Sequence, residues 1–231
     1  MNILGISSKQ KTSFTKLLID LTILFFLTPL ASNRFGYLII SFGFLMTNLL
    51  VVNTLSMPKL WIYILRLLAG LSFILDILYF EGSIILNTLT NLVAQISYAS
   101  FLILAILAIG SRIFSQIRVD LDVINGGICI FILLGFLWLM FYQIILIFDP
   151  DAFHLSSSVL ELENGYEIVY YSFTTLTTLG YGDIVPVNKF AMTLAISEAI
   201  VGLMYPSIFI ARLVGLYTTQ AKANEDRSNI S

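Results

Sequence analysis

The sequence predicts an all-α membrane protein: six transmembrane helices, with one shorter helix that enters the membrane and turns back before the last span. Three observations predict it. The 231 residues are 58% hydrophobic and 11% charged, with a mean hydropathy of +0.93, whereas soluble domains hold roughly 45–50% apolar and about 25% charged residues. Six apolar runs, 14–31, 35–57, 60–80, 84–109, 126–148 and 190–217, approach or exceed the ~20 residues that a spanning helix needs. A seventh stretch, 166–178, lies between the last two and is too short to span.

Composition also excludes. A net charge of −2 leaves no global basic surface for nucleic acid. Cys129 is the only cysteine and lies inside an apolar run, so it reads as a small core residue and no internal disulfide can form. His154 is the only histidine, which gives a metal site or a Ser–His–Asp triad little to build on. No enzyme is expected, and no cofactor.

The elements follow in order. Lys9, Lys11 and Lys16 precede the first run as in a signal peptide, but the run ends at Pro29-Leu30-Ala31-Ser32 without a clear small-x-small site, so it reads as a retained helix. Very short links after the first three runs make antiparallel hairpins. Voltage sensing needs several charges that move through the field, and 84–109 contains no Lys or Arg, so weak or absent voltage dependence is expected. Asp20 and Arg66, near same-side ends of the first and third runs, read as a structural ion pair, while Asp76 has no evident partner. Between Arg112 and Asp122, apolar residues at 113, 114, 117 and 121 fit an interfacial linker helix.

Six spans put both termini on one side. The other side holds only Arg34 and Lys189 of the 12 Lys and Arg residues, and collects carboxylates such as Glu81, Asp149, Asp151, Glu161, Glu163 and Asp183. By the positive-inside rule both termini are cytoplasmic and the chain is a multi-pass protein of the cell (inner) membrane, with the lipid bilayer as its partner. The segment 166–178 adds a constraint, since a non-spanning segment at membrane depth must be buried in protein or line a water-filled cavity. A pore is therefore suggested before any motif is considered.

After the short helix the chain reads Thr177-Thr178-Leu179-Gly180-Tyr181-Gly182-Asp183. This run resembles the TVGYG signature, followed by Asp, of the potassium channel family. The resemblance covers roughly 126–217 and includes the context: a spanning helix, a loop, a short helix, the motif and a second spanning helix. It is closest in kind to prokaryotic six-helix members, with a voltage-sensor-like topology that here lacks the sensor arginines. It implies a homotetramer with the selectivity filter on its axis and K⁺ as permeant ion. The domains would be a four-helix bundle over 1–111, the linker helix over 112–122, a pore domain over 123–219 and a short cytoplasmic tail over 220–231.

The chemistry explains the spelling. K⁺ must exchange its water shell for oxygens at similar distance, and stacked rings of backbone carbonyls provide them. Successive carbonyls on one axis need alternating backbone handedness, which Gly180 and Gly182 adopt at little cost. By the resemblance, the K⁺-lining carbonyls are those of Thr178, Leu179, Gly180 and Tyr181, with the Thr178 hydroxyl as innermost ring. Tyr181 then turns from the axis and braces the filter against the short helix. Tyr170 and Tyr171 stand where the family often has an aromatic cuff, and they also fit aromatics at a membrane interface. The short helix ends near Thr177 and aims its negative dipole end at the pore. Leu179 replaces a more usual Val, which leaves the carbonyl unchanged. Thr174 stands where some members carry a carboxylate coupled to the filter Asp, so Asp183 is expected to lack that partner.

Four further residues carry expectations. Gly202 lies 19 residues after Asp183, the spacing of the family's gating hinge, and close helix packing explains the same residue. Pro206 cannot donate to the Gly202 carbonyl, so both weaken one turn. Glu198 either hydrogen-bonds behind the filter or supplies negative charge near the cavity. Arg212 reads as snorkelling to the interface. The polar residues after Tyr217 are expected to hold no ligand-binding domain. The reading is a potassium-selective channel subunit passing K⁺ passively; the alternative is a non-selective or regulatory pore-loop cation channel subunit.

Overall fold

The computed structural model describes residues 14–32, 34–54, 59–79, 84–156 and 166–228. The expectations that rest on Lys9, Lys11, Glu81, Glu161 and Glu163 lie outside the described residues. Helix α1 (Phe14–Leu27) buries Phe14, Leu17, Leu21 and Leu24, the three-and-four spacing of a single face. It stops where Pro29 removes the N–H that the Phe25 carbonyl would accept. The Thr28 hydroxyl donates to that carbonyl instead at 2.6 Å, and the chain tightens into a 3₁₀ turn, Thr28–Ser32.

The chain continues through α2 (Arg34–Thr54), α3 (Lys59–Tyr79), α4 (Ile84–Ser115), α5 (Leu121–Phe148), β1 (Phe153–Leu155), α6 (Tyr166–Leu176), β2 (Ile184–Pro186) and α7 (Lys189–Ser228). Among the described residues three helices are long and apolar enough to cross a membrane: Thr88–Ser115, Leu121–Phe148 and Lys189–Gln220. Helices α2 and α3 carry shorter apolar stretches, Leu38–Val52 and Leu60–Leu75.

The interfacial helix expected over 112–122 is corrected. Helix α4 runs on to Ser115, and α5 begins at Leu121. Asp120 breaks the expected helix, because its extended backbone and its carboxylate, which accepts from the Val123 amide at 2.9 Å, make it the N-cap of α5. The apolar residues that suggested one face divide: Ile113 enters the core, while Ile117 and Leu121 are exposed. Arg112, expected on that surface helix, is buried in the last turn of α4. At the other end, α7 continues as helix to Ser228, through most of the expected tail.

The short α4–α5 link makes these two helices neighbours, and the first four helices share one apolar core with the last three. Tilted and edge-on aromatic contacts run through it. Phe44 of α2 meets Tyr98 of α4 at 5.5 Å and Phe136 of α5 at 5.2 Å. Phe136 meets Phe173 of α6 at 5.4 Å, and Phe173 meets Phe25 of α1 at 4.7 Å. Gly126 allows α1 and α4 to approach α5: a Cβ there would lie 2.9 Å from the Phe14 ring and 2.8 Å from Ile113. Asp122 in the first turn of α5 accepts from the Phe14 amide at 2.6 Å and so caps α1. The expected Asp20–Arg66 pair is not formed, since Asp20 accepts from the Thr47 hydroxyl at 2.6 Å and Arg66 is exposed.

Strands β1 and β2 pair antiparallel, with His154 opposite Val185. They tie the stretch that follows α5 to the stretch that follows the motif.

Candidate functional site

Helix α6 has 11 residues, about 17 Å of rise, and cannot span. Its last carbonyls find their donors in the motif itself. The Thr178 amide donates to Thr175 at 2.9 Å; the Leu179 and Gly180 amides donate to Thr174 at 2.8 and 3.2 Å. The motif loop is therefore folded back onto the helix end that precedes it.

Within the loop the backbone takes positive φ at Thr178 (59°), Gly180 (47°) and Gly182 (79°), and at no other described residue. Handedness thus alternates residue by residue. Glycine takes that conformation freely, while Thr178 does so at a cost, as a β-branched residue in the left-handed region. Such alternation turns successive carbonyls to one side. Residues 177–182 are exposed on the subunit.

The far end of the loop is anchored. The Tyr170 hydroxyl donates to Asp183 Oδ2 at 2.6 Å, and the Tyr170 ring stacks parallel on Tyr181 at 6.4 Å. Asp183 Oδ1 accepts from the Ile184 amide at 3.1 Å, and the Asp183 carbonyl accepts from Ser156 at 2.9 Å. Tyr181 therefore leans on the short helix, and Asp183 finds a partner in Tyr170. The Thr174 hydroxyl turns the other way, to the Tyr171 carbonyl at 3.0 Å.

Tyr170 and Tyr171 face opposite ways. Tyr171 is buried, edge-on to Tyr142 and Phe153 at 5.2 and 5.0 Å. Thr177 directs its hydroxyl back to Phe173 at 2.7 Å.

Behind the loop sits Glu198, fully buried. Its Oε2 accepts from the Tyr142 hydroxyl and its Oε1 from the Ser172 hydroxyl, both at 2.6 Å. One turn on, Gly202 presses against the end of α6, where a Cβ would lie 1.8 Å from the Leu176 carbonyl oxygen. Helix α7 passes through Gly202 and Pro206 without a break. Sequence reasoning missed Tyr142, Ser172 and Leu176. An interior carboxylate demands donors, and a tyrosine inside the apolar run of α5 was the available signal.

Arg212 has partners the sequence did not indicate. Its Nη2 donates to the carbonyls of Phe114 and Gln116 at 2.6 and 3.2 Å, and its guanidinium lies 4.9 Å over the Phe114 ring. It serves carbonyls that the end of α4 leaves without intrahelical donors.

Residues 128–219, from the first turns of α5 to near the end of α7, match a family model described as an ion channel. No curated protein and no solved structure matches the chain. The matched stretch contains the whole motif loop and both clusters around it. The chain thus carries an ion-channel domain on apolar membrane helices, and it is a transport protein rather than an enzyme.

Proposed function

We propose that this chain is one subunit of a K⁺-selective channel, a homotetramer whose filter is the loop from Thr178 to Tyr181. The single observation that carries this reading is the residue-by-residue alternation of handedness at Thr178, Gly180 and Gly182, within a Thr-Leu-Gly-Tyr-Gly-Asp loop that follows a helix too short to span. K⁺ loses its water shell only where carbonyl oxygens replace it at similar distance, and stacked rings do so at least cost. One such loop per chain means that four chains close the ring. Tyr170 and Asp183 hold the outer end of the filter; Thr174 and Thr177 hold its base.

The pore domain over 123–219 contains α5, the re-entrant α6 and α7, and 1–111 forms the bundle beside it. The chain crosses the cell membrane six times, with both termini in the cytoplasm, as the distribution of Lys and Arg favours. Opening bends α7 at Gly202 and Pro206. Since α4 has no cation before Arg112 at its end, the gating charge is near zero.

Rb⁺ uptake into proteoliposomes, blocked by Ba²⁺ on the pore, tests conduction. Reversal potentials in K⁺ and Na⁺ gradients test selectivity. Selective K⁺ current supports the proposal; equal passage of Na⁺ overturns it in favour of a non-selective pore. A measured gating charge of several units per subunit would refute voltage independence.

A further inference from the structure

Glu198 is a costly residue for its place. A carboxyl inside an apolar helix loses hydration that only protein donors can replace, and an Ile or Leu would fill the same space without that loss. What the carboxyl supplies is direction. Oε2 takes Tyr142 of α5 and Oε1 takes Ser172 of α6, both at 2.6 Å, so one α7 side chain fixes two other helices. The Ser172 hydroxyl is also 2.8 Å from the Gly135 carbonyl, and with one proton it donates to one acceptor at a time.

A second contact lies in register with the first. Glu198 meets Ser172, and four residues further along both helices Gly202 meets Leu176. Equal steps of one turn on α6 and α7 mean that the two helices run side by side in the same direction. They are held over about 6 Å of rise. Leu176 is the last residue of α6, and the ion loop starts directly after it. The loop residues 177–182 are exposed on the subunit, so their height is inherited from the seat of α6.

We infer that Glu198 is a positioning residue for ion discrimination. By holding Ser172 and Tyr142 together it fixes the depth and rotation of α6 against α7, and through them the spacing of the loop carbonyls. This rests on the channel reading of the loop.

The test is a series of bilayer recordings on the full-length protein, with permeability ratios among K⁺, Rb⁺ and Na⁺. The K⁺/Na⁺ ratio is expected to fall about tenfold in Glu198→Ala and about threefold in Ser172→Ala and Tyr142→Phe, each of which deletes one hydroxyl. Glu198→Gln keeps an acceptor for Tyr142 and a polar partner for Ser172, and recovers most of the loss. A purely structural role would lower melting temperature and channel number without moving the ratios. Wild-type ratios in conducting Glu198→Ala, or in the two hydroxyl deletions where Glu198→Ala does not assemble, overturn the inference. A wild-type protein that does not discriminate K⁺ from Na⁺ overturns the potassium reading alone; the Rb⁺/K⁺ ratio of the variants against wild type then decides the role of Glu198.

Discussion

Helices α5 and α7 read alike in sequence and differ in surroundings. Each has an apolar stretch long enough to span, yet 56% of the most apolar window is buried within the subunit in α5 and 11% in α7. Helix α5 is enclosed by α1, α4, α6 and α7 and forms the centre of the core. Helix α7 touches its own subunit along one seam, Ala191, Glu198, Gly202 and Phe209, while Ile196, Ile200, Leu203 and Ile210 are half or more exposed. Hydropathy measures compatibility with an apolar phase and cannot tell a core helix from one that faces lipid, a pore or other copies of the chain.

The most direct way to break this contrast is to truncate one side chain on each helix. Phe136→Ala in α5 should cost about 4 kcal/mol, through a cavity among Phe44 and Phe173. Leu203→Ala on the exposed face of α7 should change unfolding of the isolated subunit by less than about 0.5 kcal/mol. Equilibrium unfolding in detergent measures both, and equal costs would erase the distinction between the helices. Next in size is Gly202→Ala. Its new methyl meets backbone rather than a flexible side chain, so about 3 kcal/mol of strain is expected. Single-channel recording should show ion flux reduced roughly a hundredfold; wild-type conductance would show that the seam is not tight.

Arg212→Ala sharpens the comparison at the far end of α7. It removes the donor to Phe114 and Gln116, so amide exchange near 208–216 should quicken about tenfold. Unchanged exchange would mean that this end of α7 is held by something else. The smallest effect is expected from Tyr170→Phe, which keeps the ring stack and loses the bond to Asp183. The K⁺ concentration for half-maximal thermal stabilisation should rise about threefold; no rise would detach Asp183 from ion binding.

Much of the architecture was legible in the chain. The apolar runs became helices, and the short run became α6. Tyr181 leans on the short helix as expected. The linker helix was misread because apolar spacing over 112–122 is compatible with a single helix, while the end of α4 at Ser115 and the N-cap of α5 at Asp120 leave 116–120 as a non-helical link between two. The carbonyls that the end of α4 offers Arg212 were not legible, because they come from a helix remote in sequence. Asp183 has no partner at Thr174, whose hydroxyl bonds the Tyr171 carbonyl, and the hydroxyl of Tyr170, 13 residues before Asp183, takes that place, a bond the motif alone did not suggest.

From the sequence alone came the membrane class, the short helix and the loop, because these depend on local facts: a run too short to span, glycines where handedness must alternate, apolar stretches of spanning length. The tertiary structure decided what Glu198, Gly202 and Arg212 do. The partners of Glu198 lie 26 and 56 residues away, and those of Arg212 lie 96 and 98 away. A hydrogen bond is set by distances of about 3 Å in space, and no local pattern along the chain records which helices pack closely enough to make one.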